Sequence, residues 1–200
     1  MNAIVFDLDG TLLRSPRPYR EILSRAFETV AGESSGAWLD AYDEAFFDAF
    51  GALEPDPVRT AAAGLEDGPD PDAFAEALLR TEIETFEPAP NARADLRRLG
   101  ECHRLGVCTN GVREWQFAKL RAHDLDEHVD AIVASYEAGA HKPDPAPFEL
   151  LERRLPAASY GMVGDADADV EGARRMGWSA ERYDGGDFSS VPTSFGWDRR

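Results

Sequence analysis

The chain has little cysteine and no long hydrophobic run. Among its 200 residues, only Cys102 and Cys108 are cysteines. Their spacing forms no CxxC pair, so we expect neither a disulfide framework nor a zinc site, and we predict a cytoplasmic protein. No apolar run approaches the roughly 18 residues of a membrane span. The first residues have no basic region and reach an aspartate at Asp7, so we do not expect a signal peptide.

Basic residues are scarce too. The chain has 38 acidic and 21 basic residues, a formal net charge of −17. The electric field of a strongly negative protein repels nucleic acid and anionic membranes, so neither is an expected partner. Only two basic residues are lysines, Lys119 and Lys142. The composition is typical of halophilic proteins, and an acidic surface encoded by a GC-rich genome explains it equally well.

The order of apolar segments predicts an α/β fold. Short apolar runs predict strands at 3–6, 104–109, 129–134, 160–163 and 180–183, and helical periodicity predicts helices between the later ones. This alternation indicates a Rossmann-like parallel sheet with helices on both faces. Residues 15–87 show helical periodicity and no strand, which predicts an inserted all-helical cap. Residues 1–14 and 88–200 would then form the core.

Acidic residues follow two of the predicted strands. Asp7 and Asp9 lie two apart at the end of the first strand and can face the same way. Asp165 and Asp169 lie four apart after a later strand, on one face of a helical turn. A divalent cation would stabilise such adjacent carboxylates. Capping of backbone amides in a turn or at a helix start is the alternative for each pair.

Two further segments could bind an anion. Thr109, Asn110 and Gly111 stand between a predicted strand and a predicted helix, where free backbone amides attract anions. A plain cap and turn is the alternative. Lys142 lies in a loop before Pro143, where its ammonium could either bind phosphate or be exposed to solvent.

Taken together, these segments resemble the haloacid dehalogenase (HAD) superfamily in its helical-cap subfamily, which includes phosphoglycolate phosphatases. The resemblance covers about residues 1–14 and 88–184, and the cap matches only in position, size and helical character. Ala166 departs from the pattern, because such proteins often carry a serine there. The matching motifs stand at 7–11, 109–110, 142–145 and 163–165 with Asp169.

The resemblance implies a Mg²⁺-dependent phosphatase that hydrolyses a small phosphorylated metabolite. Asp7 would be the nucleophile and would form an aspartyl-phosphate intermediate. Asp9 would protonate the leaving alcohol and then activate water. Because an alkoxide needs a proton to leave and a halide does not, an acid at position 9 favours phosphate chemistry over dehalogenation.

The resemblance also implies the ligands of the metal and the phosphoryl group. Mg²⁺ would be held by the Asp7 carboxylate, the Asp9 backbone carbonyl and Asp165. Asp169 would support the metal's surroundings and orient Lys142. The phosphoryl oxygens would be held by Thr109, Lys142 and the backbone amides near Gly10 and Asn110.

Several alternatives stay open at the level of sequence. The same scaffold could carry a phosphotransferase or mutase, or a non-catalytic phosphate-sensing module. The candidates for substrate specificity are Arg14, Arg17, Tyr19 and Arg20, although surface arginines also pair commonly with nearby acids. The sequence does not predict the oligomeric state.

Overall fold

Strands and helices alternate along the second half of the chain, whereas helices fill most of the first. The computed structural model describes residues 1–197, and residues 198–200, the end of the predicted core, lie outside it. In chain order the elements are β1 (Ala3–Phe6), β2 (Leu13–Arg14), α1 (Tyr19–Ala31), α2 (Gly36–Gly51), α3 (Pro57–Ala63), α4 (Pro71–Thr85), β3 (Glu87–Pro88), α5 (Ala92–Gly100), β4 (Arg104–Thr109), α6 (Arg113–Ala122), a 3₁₀ turn (Asp126–His128), β5 (Ala131–Ala134), α7 (Ser135–Ala138), α8 (Pro145–Arg154), β6 (Tyr160–Gly164), α9 (Asp167–Arg175), β7 (Ser179–Arg182) and α10 (Val191–Ser194).

The chain divides into two compact units. One consists of Met1–Arg14 together with the chain from Glu87 onward, and the other is Ser15–Phe86. Among residues 1–197, no helix has both the length and the apolar character that a membrane span requires.

The first unit is built on a five-stranded parallel sheet. Its strand order is β5-β4-β1-β6-β7, with Ala3 beside Arg104 on one side and beside Tyr160 on the other. All four residues of β1 are fully buried, because a central strand of a parallel sheet is covered on both faces. The predicted α/β fold class is confirmed.

Side chains alternate between the two faces of β1. Val5 joins a cluster with Phe148 and Leu151 of α8 and Ala173 of α9. Phe6 points the other way, and its ring meets that of Phe188 edge-on at 5.1 Å. Each face of the central strand is therefore sealed by a different part of the chain.

Several local features differ from the sequence predictions, including β7, which covers Ser179–Arg182 rather than 180–183. Leu13–Arg14 pairs antiparallel with Glu87–Pro88, a ladder too short to show an alternating pattern. The third strand of the large sheet begins at Ala131 rather than at 129. A four-residue helix, Val191–Ser194, lies beyond the last predicted strand, where no helix is predicted.

The second unit holds four helices around an aromatic core. Phe27 of α1 stacks on Phe74 of α4 with ring centroids 4.3 Å apart, and Tyr42 of α2 meets Phe74 at 5.2 Å. Asp56 and Asp70 cap the starts of α3 and α4, each followed by a proline in the first turn. Proline suits that position because its missing N–H would have no partner there.

Candidate active site

Polar side chains meet at the carboxyl edge of the large sheet. Asp7 follows β1, Thr109 ends β4 and Asp165 follows β6, and β1 lies between the other two strands. The amide of Asp7 donates to the carbonyl oxygen of Val163 at 2.9 Å, which continues the ladder one residue beyond β1. This edge is where open parallel sheets commonly bind ligands.

Lys142 lies at the centre of the group, with its side chain only 2% exposed. Its Nζ donates to Asp7 Oδ1 at 2.7 Å, to Asp169 Oδ1 at 2.5 Å and to the carbonyl oxygen of Cys108 at 2.6 Å. An ammonium has three donors, and all three are used. The predicted contact between Asp169 and Lys142 is therefore present in the structure.

Asn110 fixes the backbone of Lys142 from both sides. Its Oδ1 accepts from the amide of Lys142 at 2.8 Å, and its Nδ2 donates to the carbonyl oxygen of Lys142 at 3.3 Å. The side chain of Asn110 is thus engaged in positioning the lysine. Its predicted role in phosphate binding would fall to the backbone amides around it.

Burial dominates the electrostatics of Asp7. Desolvation raises the pKa of Asp7 to about 7, and the charge of Lys142 opposes this shift while those of Asp169 and Asp9 add to it. For Lys142, burial would lower the pKa, but the charges of Asp7 and Asp169 outweigh burial and raise it. The lysine therefore stays charged between its two carboxylates.

Three carboxylates are placed to share a cation. Asp7, Asp165 and Asp169 each offer an oxygen atom within 4.8 Å of the others. When all three are ionised, they and Lys142 carry a net charge of −2, which a divalent cation would neutralise. Carboxylate oxygens are the ligands that Mg²⁺ prefers in proteins, so the residues present fit this metal. Asp169, predicted to stand behind the ligands, is close enough to be one.

Gly10 and Thr11 shape the approach to Asp165. Gly10 has φ +90°, and a Cβ built on it would lie 2.4 Å from Asp165 Oδ2. Only glycine fits here, because both the backbone conformation and the space exclude a side chain. The Thr11 hydroxyl donates to Asp165 Oδ1 at 3.1 Å, which orients this exposed carboxylate.

Asp9 is held by two residues that the sequence analysis did not single out. Lys119 Nζ lies 2.6 Å from Asp9 Oδ1 and 2.7 Å from Oδ2. Gln116 Nε2 donates to Asp9 Oδ2 at 2.8 Å and lies 3.0 Å from Thr109 Oγ1. The structure thereby connects the predicted acid–base residue to the hydroxyl at the end of β4.

Two signals in the sequence point to these missed residues. Lys119 is one of only two lysines among 21 basic residues. Gln116 lies three positions earlier on α6, so both side chains share one face of that helix. Both are 3% exposed, although their types are usually found at the surface.

The four specificity candidates all contact residues of their own unit. Arg14 interacts with Tyr183, and the exposed Arg17 pairs with Glu21 at 3.2 Å. The two others bind acids of the second unit, with Tyr19 Oη donating to Glu82 at 2.6 Å and Arg20 pairing with Asp40 at 2.7 Å. Their role in specificity stays a prediction.

Comparison with known proteins identifies the family. A model of the haloacid dehalogenase-like hydrolases matches residues 1–177. The chain belongs to this family. The predicted family is therefore confirmed, and the phosphatases among its relatives confirm the predicted enzyme class, a HAD-type phosphoric monoester hydrolase.

This HAD-like hydrolase is similar in sequence to several phosphatases. It is 30% identical over 187 residues to a phosphoglycolate phosphatase of Cereibacter sphaeroides, an alignment that covers 88% of this chain and 82% of the relative. It is 31% identical to a phosphoserine phosphatase of Thermus thermophilus, with 93% and 90% covered.

Solved structures agree on the fold. A HAD hydrolase of Bacillus subtilis, crystallised with bound magnesium, matches with a TM-score of 0.68 at 22% identity, over 90% of this chain and 86% of that one. At this level of identity the likeness concerns the fold alone.

Proposed function

We propose that this enzyme is a Mg²⁺-dependent phosphatase that hydrolyses a small phosphorylated metabolite through an aspartyl-phosphate at Asp7. The observation that carries the proposal is the position of the Asp7 carboxylate. It is buried at the carboxyl edge of the sheet, bound to Lys142 at 2.7 Å, and grouped with Asp165 and Asp169. This arrangement combines a fixed nucleophile with a site for a divalent cation.

Two carboxylates, those of Asp7 and Asp9, would carry out the reaction. Lys142 holds Asp7 in one orientation, as nucleophilic attack on phosphorus requires. As the bond from Asp7 to phosphorus forms, the bond from phosphorus to the alcohol oxygen breaks, and Asp9 gives that oxygen a proton. Water then attacks phosphorus and gives its proton to Asp9, which releases inorganic phosphate and restores the Asp7 carboxylate.

The metal would be held by the carboxylates of Asp7 and Asp165 and by the backbone carbonyl of Asp9. When bound, Mg²⁺ supplies the positive charge that allows a carboxylate to approach an anionic phosphoryl group.

Lys142 would act on the substrate mainly as a charge. Its three donors are already given to Asp7, Asp169 and Cys108, so a separate hydrogen bond to a phosphoryl oxygen would require one of them to be shared. The Thr109 hydroxyl and the amides near Gly10 and Asn110 would provide the directional contacts.

The named relatives support hydrolysis over the alternatives. The phosphatases of Cereibacter sphaeroides and Thermus thermophilus carry names that describe removal of phosphate from small metabolites. These names favour a phosphatase over a mutase or a phosphate sensor, and they define the first substrates to test. We also propose a cytoplasmic location and a tolerance of high salt, on the composition alone.

Hydrolysis of 4-nitrophenyl phosphate tests the proposal, followed by phosphoglycolate and phosphoserine. Each is assayed with Mg²⁺ or with EDTA, in low and in molar potassium chloride. Asp7→Asn should abolish turnover while the protein remains folded, because the variant lacks the nucleophile. Asp167→Asn is the matched control, since this aspartate lies near the cluster but its side chain is 83% exposed.

The activities of the two variants decide whether Asp7 is the nucleophile. Turnover that depends on Mg²⁺, disappears in Asp7→Asn and persists in Asp167→Asn supports the proposal. Retention of more than about a tenth of wild-type activity in Asp7→Asn would exclude Asp7 as the nucleophile.

A further inference from the structure

Helix α6 presents two buried polar side chains to Asp9. Lys119 brings its ammonium to both oxygens of the carboxylate, at 2.6 and 2.7 Å, and Gln116 donates to one of them at 2.8 Å. The Asp9 side chain itself is 37% exposed. The carboxylate is thus held from the protein side while part of it stays accessible from solvent.

Gln116 connects Asp9 to the end of β4. Its Nε2 lies within 3.0 Å of both Thr109 Oγ1 and the carbonyl oxygen of Asn110. A cluster of three acceptors around one amide nitrogen fixes which end of the side chain faces Asp9. Gln116 therefore fixes the position of Asp9 relative to the end of β4, which carries the predicted phosphate ligands.

This arrangement does not serve stability alone. Gln116 Oε1 is buried and accepts no hydrogen bond from the residues that the structure describes. Leaving a buried acceptor unsatisfied lowers stability, and an apolar side chain of similar shape would avoid that cost. The amide group is therefore better explained by what its nitrogen does for Asp9.

We propose that Lys119 and Gln116 are positioning residues, which hold the Asp9 carboxylate in the orientation from which it transfers a proton to the leaving oxygen. This inference rests on the proposed function, because it gives Asp9 the acid–base role in phosphate ester cleavage. Proton transfer needs donor and acceptor atoms within about 2.6–3.2 Å. Without the two contacts, the Asp9 side chain can rotate away from that position.

The dependence of the rate on the leaving group tests the proposal. In 4-nitrophenyl phosphate the departing phenolate needs little protonation, whereas in an alkyl ester such as phosphoserine the departing alkoxide needs a proton. The measured quantity is the ratio of kcat/KM for the alkyl ester to kcat/KM for the aryl ester. A variant that merely loosens the structure lowers both values and leaves their ratio unchanged.

Lys119→Met should lower this ratio by about 10- to 100-fold, because a displacement of about 1 Å can cost 10²-fold in rate. Gln116→Met removes the second donor to Asp9 and should lower the ratio by a smaller factor. It also provides an independent test if Lys119→Met does not fold. Arg121→Met is the matched control on the same helix, since the side chain of Arg121 is 67% exposed and pairs with Asp126. The control should leave the ratio unchanged.

A double variant shows whether Lys119 acts through Asp9. Asp9→Asn should lower the ratio by about 10²–10⁴-fold, and adding Lys119→Met to it should change the ratio no further. Full additivity of the two effects, or an unchanged ratio in both Lys119→Met and Gln116→Met, would overturn the inference and leave the proposed function intact. A wild-type enzyme that hydrolyses neither ester with Mg²⁺ contradicts the proposed function and this inference with it.

Discussion

The two lysines of this chain each bind an aspartate that follows β1, but in different surroundings. Lys142 lies between Asp7 and Asp169, and the three side chains are between 1% and 10% exposed. Lys119 is equally buried, but the side chain of its partner, Asp9, is 37% exposed. One ion pair is enclosed by protein, and the other has one member in contact with solvent.

The difference decides whether solvent can replace a lost partner. Lys142, Asp7 and Asp169 are shielded from solvent, so water cannot replace a partner that is removed. Each of the three charges therefore depends on the others. At the second pair, water can solvate Asp9 if Lys119 is removed. Such a carboxylate can exchange protons with a substrate and with water while Lys119 and Gln116 hold its orientation, whereas the proposed nucleophile, Asp7, is enclosed by protein.

The preference for lysine at position 142 follows from shape. Nineteen of the 21 basic residues are arginines, so the two lysines stand out. A compact ammonium can give three donors to acceptors that converge from different directions, as at Lys142. The planar fork of a guanidinium matches a single flat partner instead.

Removal of Lys142 should have the largest effect. Lys142→Met leaves Asp7 and Asp169 buried without their counter-charge, and breaking a buried pair in this way costs about 3–5 kcal/mol of the free energy of unfolding. Lys142→Arg should not restore the stability, because a guanidinium does not fit the three acceptors. Urea denaturation in EDTA, at pH 5 and pH 8, measures both variants.

The pH dependence of that loss has a definite sign. Burial raises the pKa of Asp7 from 3.8 to about 7 in the folded protein, so ionising Asp7 destabilises the fold as pH rises through this interval. Lys142 opposes that shift, and without it the loss should be greater at pH 8 than at pH 5. A loss that is equal at both pH values would show that Asp7 does not depend on Lys142 for its charge.

The metal should stabilise the carboxylate cluster around Lys142 and should not depend on the ion pair between Lys119 and the Asp9 side chain. At a Mg²⁺ concentration 100 times its Kd, the free energy of unfolding should increase by about 2.7 kcal/mol. Asp165→Asn should lose most of this increase, because it removes an exposed ligand without disturbing the buried pair. Asp167→Asn and Lys119→Met should keep it. Denaturation with and without Mg²⁺ checks all three, and an increase that persists in Asp165→Asn would place the metal elsewhere.

Much of the core could be predicted from the sequence because its signals are local. The apolar run at 3–6 is a buried strand, and aspartates at strand ends reach the edge of the sheet that the fold class predicts. The pairing of Leu13–Arg14 with Glu87–Pro88 was missed, because two-residue strands carry no periodicity and their partners lie far apart in sequence.

Lys119 and Gln116 were not predicted as site residues for a different reason. Lys142 and Asp169 belong to short motifs that resemble those of a known family, whereas Lys119 and Gln116 stand inside an ordinary amphipathic helix. Which face of α6 meets Asp9 depends on how that helix packs against the sheet. Tertiary packing of this kind leaves few local traces, here the scarcity of lysine and the three-residue spacing of Gln116 and Lys119.

The smallest expected effect separates the two lysines most directly. Lys119→Met should lower the free energy of unfolding by about 1 kcal/mol or less, because a half-exposed carboxylate can be solvated in place of its ion pair. The measurement is the same urea denaturation in EDTA, with Lys142→Met beside it. If Lys119→Met costs as much as Lys142→Met, then Asp9 is as dependent on its lysine as Asp7 is. Asp9 would in that case be a structural member of a single buried network, and its exposure would not mean that solvent can replace its ion pair.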